Sequence, residues 1–88
     1  PPDIKLWNDF TNKVADHYAD NTDILWEIWN EPNWHFFAGT SEEYFKLLED
    51  TSKTLKSKNK SACVYSGGLA VAEKETNSEY YQKSAELA

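Results

Sequence analysis

Apolar residues recur at helical spacing near the start of the chain and again in its middle. From about Asp3 to Ala19, large apolar residues return every three or four positions, with charged residues on the other side. They are Trp7, Phe10, Val14 and Tyr18. A second helix is predicted to start near Thr40, because Thr40 and Glu43 have the spacing of a capping box. Its predicted buried stripe is Tyr44, Leu47, Leu48, Thr51 and Leu55.

Two short apolar segments predict strands. Ile24–Trp29 is β-branched and aromatic and nearly continuous in apolar character, which is typical of a strand covered on both faces. Pro32 ends it, since proline cannot donate to a strand ladder. A second strand is predicted over about residues 61–66, closed by Gly67-Gly68, and a third helix is predicted from Ser78 onward.

The order helix, strand, helix, strand, helix predicts an α/β fold with parallel strands joined by crossovers. Two parallel strands alone would leave two unpaired edges and too few helices, so a free-standing fold is disfavoured. We therefore expect residues 1–88 to be an internal segment of a larger α/β sheet or barrel. The sequence opens with Pro1-Pro2 and shows neither an initiator Met nor a signal sequence. The cellular location of the parent protein is therefore left open, and a secreted or a lysosomal protein is compatible with it.

Composition narrows the classes of partner. The 88 residues carry 9 basic residues, all of them Lys, against 15 acidic residues, for a net charge of -6. This balance disfavours binding to nucleic acid or to an anionic membrane surface, and no apolar run is long enough for a membrane span. A neutral ligand is compatible with the negative net charge.

Cysteine and histidine usage gives no sign of a metal site. Cys63 is the single cysteine, which excludes an internal disulfide and a Cys-rich zinc site, and its apolar neighbours predict a buried small residue. His17 and His35 lie eighteen positions apart, with no Cys or His at metal-ligand spacing around either. These residues therefore predict no metal site.

Candidate chemistry is concentrated at the end of the first predicted strand. Five aromatic residues lie between Trp26 and Phe37, around Asn30-Glu31-Pro32. In barrels and open α/β sheets, ligands bind at this end of the strands. Aromatic faces stack on sugar rings, and a carboxyl in partly apolar surroundings stays protonated, as a glycosidase acid requires. Core packing of the aromatic residues and chance occurrence of the tripeptide are the competing interpretation.

Several segments together resemble glycoside hydrolase family 39, the β-xylosidase and α-L-iduronidase family, whose clan has (β/α)8 barrel domains. They are Trp26-Glu27-Ile28-Trp29-Asn30-Glu31-Pro32-Asn33, Phe36-Phe37, Glu43-Tyr44-Phe45-Lys46-Leu47 and Ser66-Gly67-Gly68-Leu69-Ala70. Asn-Glu-Pro is shared across the clan, whereas its Trp-Asn-Glu-Pro-Asn context points to this family. A segment of a cellulase-like family 5 endoglycanase remains an alternative.

The resemblance implies a partial (β/α)8 barrel around strands four and five, and a retaining hydrolase of O-glycosidic bonds. Ile24–Asn30 would be strand four, Thr40–Lys58 helix four and Ala62–Ser66 strand five. Glu31 matches the general acid/base, and Asn30 matches the residue that hydrogen-bonds the sugar 2-hydroxyl. The implied mechanism needs only carboxylates and water, so we expect no metal and no organic cofactor. Substrate contacts are expected from the following loop, at Trp34, His35, Phe36 and Phe37.

Strand alternation adds a constraint. It places Glu27, Trp29 and Glu31 on one face of the strand and Asn30 on the other, so the strand must twist or bulge for Asn30 and Glu31 to reach one ligand. Glu27 lies too deep for catalysis and is predicted to be a hydrogen-bonded residue inside the barrel.

The resemblance implies that the second carboxylate of a retaining glycosidase lies outside this chain. The family places its nucleophile near the end of strand seven, and Glu73 and Glu75 read as surface residues. The isolated chain is therefore predicted to be inactive without the rest of the barrel. A carbohydrate-binding or other non-catalytic interaction module is the alternative function, and a partial reading frame without its own function is a third.

Overall fold

The structure is a computed structural model of the chain and describes residues 1–33, 36–69, 82, 83 and 86. Within these residues the elements are helix α1 (Ile4–His17), strand β1 (Leu25–Ile28), helix α2 (Ser41–Lys58) and strand β2 (Cys63–Ser66). The predicted order and type of these four elements are confirmed, and both strands are shorter than predicted. Most of the predicted third helix lies outside the described residues.

The two strands pair in parallel, with Leu25 opposite Cys63 and Ile28 opposite Ser66. Helix α2 connects them, as a parallel pair requires. Helices α1 and α2 pack against each other, and α2 also contacts β2. The described part of the chain is therefore an α/β unit in which the carboxyl ends of both strands lie at one edge.

One face of this sheet carries the core and the other is open in the described part of the chain. Ile28 is buried, and Trp26 and Val64 pack against the same core. On the opposite face Leu25 is 68% exposed and Tyr65 is 56% exposed. The prediction of a strand covered on both faces is thus wrong for the described residues.

Cys63 lies on the open face, and the prediction that it is buried is wrong. Its side chain is exposed, whereas the adjacent Val64 packs against the core. Side chains alternate between the two faces along a strand. Because Val64 packs on the helix side, the preceding Cys63 must face away from the helices.

Helix α1 buries only part of its predicted apolar face: Trp7 packs against the core and Val14 is half-buried. Thr11 and Ala15 are its buried residues, whereas Phe10 is 56% exposed. The indole Nε1 of Trp7 donates a hydrogen bond of 2.8 Å to Thr51 Oγ1 on α2. This bond links α1 to α2 on the side where Trp7 packs against the core, and Phe10 lies away from that side.

Helix α2 follows its predicted pattern. Every residue of the predicted stripe is buried, and Phe45 is buried beside them. The capping box is present: Glu43 N donates to Thr40 Oγ1 at 3.1 Å, and Thr40 N donates to Glu43 Oε1 at 2.9 Å. The bond from the Thr40 backbone, with a further contribution from its side chain, lowers the pKa of Glu43. This stabilisation is complete above the ordinary glutamate pKa of about 4.3 and is lost as the pH falls below it.

We predict that Thr40→Ala lowers the free energy of unfolding by about 1 kcal/mol, because the first turn of α2 loses its side-chain acceptor. Thr40→Ser keeps the hydroxyl and should lose much less. Thr22→Ala, at an exposed position in the α1–β1 connection, is the matched control. Urea denaturation followed by circular dichroism measures all three, and equal losses for Thr40→Ala and Thr22→Ala would contradict the assignment.

Candidate active site

The chain leaves strand β1 by an unusual backbone path. Trp29 and Glu31 have φ values of 74° and 43°, in the left-handed region. Non-glycine residues seldom adopt positive φ, and such residues cost on the order of 1–3 kcal/mol each and cluster at functional sites. The irregularity predicted at the end of this strand is therefore present, and it lies directly around Asn30.

This path changes the face on which Trp29 lies. Its ring contacts Trp7 of α1 and Phe37, with centroid separations of 5.5 and 5.3 Å. Its Nε1 donates a 2.9 Å hydrogen bond to the carbonyl oxygen of Phe36. Trp29 thus packs on the helix side, and the prediction that it shares a face with Glu27 is wrong, because its positive φ interrupts the alternation.

Three atoms form a hydrogen-bonded arrangement where the two strands end. The Tyr44 hydroxyl donates to the carbonyl oxygen of Ile28 at 2.8 Å and accepts from the amide of Gly67 at 2.9 Å. The same Gly67 amide lies 3.0 Å from the Ile28 oxygen. We name this arrangement of Tyr44, Ile28 and Gly67 the strand-end triangle. It joins helix α2 to the ends of both strands.

Position 67 has no room for a side chain, which explains why glycine occurs there. A β-carbon there would lie 2.5 Å from the Trp29 carbonyl oxygen and 2.8 Å from its carbonyl carbon. At Gly68 the nearest atom would be Glu27 Oε1 at 3.8 Å, which is an ordinary contact. The sequence predicts the same role for both glycines, the end of the second strand. The structure requires glycine at position 67 and has room for a β-carbon at position 68.

Gly68 connects the two glutamates of the segment. The Glu31 amide donates to the Gly68 carbonyl oxygen at 2.9 Å, and the Gly68 amide donates to Glu27 Oε1 at 3.0 Å. The prediction that Glu27 is a hydrogen-bonded residue is confirmed. Asn30 is exposed and Glu31 is half-buried, so both lie at the surface of the strand ends.

Of the four residues predicted in the loop after Glu31, the structure describes two, and only one of these is exposed. Trp34 and His35 lie outside the described residues. Phe37 is 3% exposed and packs edge-on against Trp29 and Tyr44, so it belongs to the core and offers no ring face to a substrate. Phe36 is 48% exposed and is the accessible aromatic ring of the described part of this loop.

A separate depression of about 530 Å³ lies beside the end of α1, lined by residues 17, 18 and 20–23. It precedes β1 and is therefore at the opposite end of the strand from Glu31. Among the described residues, no group of three or more His, Cys, Asp or Glu side chains is placed to hold a metal ion. No helix in the described ranges combines the length and apolar character needed to cross a membrane.

Comparison with known proteins points to glycosidases. The chain is 37% identical over 65 aligned positions to a beta-xylosidase of Geobacillus stearothermophilus, covering 65% of this chain and 13% of that protein. It is 38% identical over 64 positions to a beta-xylosidase of Caldicellulosiruptor saccharolyticus, covering 64% of this chain and 13% of that one. The chain thus spans about an eighth of the length of these relatives. No protein-family model matches it, and neither does a solved structure.

Sequence reasoning missed the polar role of Tyr44, which it placed only in a buried stripe. A signal was available, since a buried tyrosine hydroxyl normally finds a hydrogen-bond partner. The different requirements at Gly67 and Gly68 had no such signal, because they depend on where Trp29 lies.

We predict that Gly67→Ala is strongly destabilising, with a loss of about 1–3 kcal/mol, because the new methyl group overlaps the Trp29 backbone. Gly68→Ala is the matched control and should change stability far less. Urea or thermal unfolding of the two variants compares them. Similar losses for both would mean that Trp29 does not approach Gly67 as closely as described.

Proposed function

We propose that this chain is the middle portion of a retaining glycoside hydrolase domain with a (β/α)8 barrel, β-xylosidase-like and of family 39, around strands four and five. Glu31 would supply its general acid/base. The similarity to two beta-xylosidases carries the proposal. The placement of Asn30 and Glu31 at the carboxyl ends of parallel strands supports it, since that is where barrel enzymes bind substrate.

The open face of the sheet is compatible with a barrel. In a barrel, residues on one face of every strand turn inward and pack in layers, and the outer face carries the helices. Leu25 and Glu27 on β1, with Tyr65 on β2, have the positions of such inward residues. A complete barrel of about 250 residues would supply further strands. These strands would pair with the two sheet edges and cover the three inward side chains.

Glu31 would act twice in the proposed reaction. As an acid it gives its proton to the leaving-group oxygen while a carboxylate from another strand, about 5–5.5 Å away, attacks the anomeric carbon. As a base it then takes a proton from the water that releases the sugar from this carboxylate. Asn30 would hold the sugar 2-hydroxyl by a hydrogen bond. The half-burial of Glu31 suits both steps, because the group must reach substrate and also water.

We predict that Glu31→Ala in the full-length protein lowers turnover of xylobiose by about 10²–10⁴-fold, the usual contribution of general acid–base catalysis. With a nitrophenyl β-xyloside, azide should restore much of the rate, because this anion attacks the glycosyl-enzyme without a base and leaves as xylosyl azide. Product analysis and steady-state kinetics measure both effects.

Glu42→Gln, at an exposed position in the first turn of α2, is the matched control and should leave both rates unchanged. The isolated chain should not turn over the aryl xyloside, since its nucleophile is elsewhere. Full activity of Glu31→Ala, or robust turnover by the isolated chain that Glu31→Gln abolishes, would each overturn part of the proposal. Oligosaccharide binding by a full-length protein without turnover would favour a binding module instead.

The exposed ring of Phe36 is the proposed wall of the sugar site, in place of Phe37. We predict that Phe36→Ala raises KM for xylobiose about 2- to 12-fold, since the loss of an aromatic stacking contact costs on the order of 0.5–1.5 kcal/mol. Phe10→Ala, which removes an equally exposed ring from α1, should leave KM unchanged. An unchanged KM for Phe36→Ala would exclude Phe36 from the wall.

A further inference from the structure

We infer that Tyr44 is a positioning residue for Glu31, acting through the strand-end triangle rather than through contact with substrate. This inference rests on the proposed function, because it concerns how the general acid is held. Tyr44 is 0% exposed and lies on α2, so its hydroxyl cannot contact a ligand bound beside Asn30 and Glu31.

One route from Tyr44 to Glu31 runs along β1. The hydroxyl holds the carbonyl oxygen of Ile28, the last residue of the strand. The next residue is Trp29, whose positive φ starts the turn that ends at Glu31. A shift of the Ile28 carbonyl therefore rotates the peptide from which this turn begins.

A second route runs along β2. The hydroxyl accepts from the amide of Gly67, and the carbonyl of the following residue, Gly68, accepts from the amide of Glu31. Tyr44 thus holds the last residue of β1 and the residue after β2, and both routes converge on the backbone of Glu31. The Gly67 amide still donates to the Ile28 oxygen when the hydroxyl is lost, so we expect a small displacement of Glu31 and no separation of the strands.

The ring of Tyr44 is held independently of its hydroxyl. It packs edge-on against Phe37 and Phe45, with centroid separations of 5.5 and 5.3 Å. Tyr44→Phe keeps these ring contacts and removes one oxygen atom. The variant is therefore a test of the hydrogen bonds and leaves the packing in place.

A displaced general acid has a specific kinetic signature. Proton transfer needs the carboxyl within hydrogen-bond reach of the leaving oxygen. A sugar leaving group needs that proton, whereas a nitrophenolate leaves readily without it. The ratio of kcat/KM for xylobiose to kcat/KM for nitrophenyl β-xyloside therefore reports the position of the acid. Both values come from one sample, so the ratio is independent of the fraction of folded enzyme.

Tyr44→Phe in the full-length protein should lower this ratio about 10-fold or more, as expected for a small displacement of a catalytic group. Tyr18→Phe removes a hydroxyl from an exposed tyrosine at the end of α1 and should leave the ratio unchanged. Thermal unfolding of both variants records any loss of stability separately.

An unchanged ratio for Tyr44→Phe overturns the inference, whether the two rates are intact or fall together, because a purely structural residue affects both substrates equally. The Glu31→Ala variant is measured beside it. If Glu31→Ala does not lower the ratio, the proposed function fails. If Glu31→Ala lowers it and Tyr44→Phe does not, only the positioning role fails.

Discussion

The buried hydroxyl of Tyr44 is the contact on which the arrangement of the strand ends depends. It bonds to Ile28 at the end of one strand and to Gly67 directly after the other, and α2 carries it into the core. The Gly67 amide also donates to the Ile28 oxygen, so the hydroxyl adds a link from α2 to strand ends that are already joined to each other. Two residues with positive φ follow immediately, and their strain persists only because the surrounding structure determines their conformation.

The second constraint is the one-sided sheet. Two parallel strands with helices on one face bury Ile28 and leave Leu25 and Tyr65 exposed. Parallel sheets are normally covered on both faces, so the open face supports the proposal that this unit is a segment of a larger α/β domain. The alignment with about an eighth of two beta-xylosidases supports the same proposal.

The candidate site could be predicted only in part. Glu31 and Asn30 stood out because a polar pair follows an aromatic strand, and the strand ends do place them at one edge. The aromatic residues around them were harder to assign. Phe36 and Phe37 are chemically identical neighbours, yet one is 48% exposed and the other 3%. Which ring is buried depends on where Trp29 and Tyr44 lie, and adjacent positions in a loop carry no periodicity that reveals it.

The sequence by itself determined the order of elements, the stripe and capping box of α2, and the position of the candidate acid at a strand end. These features depend on local periodicity and on hydrogen bonds between residues near in the chain. The tertiary structure decided the rest: the exposure of Cys63, the buried face of α1, the side on which Trp29 packs, and the need for glycine at position 67. Each of these depends on the approach of segments far apart in sequence, and no local pattern records such distances.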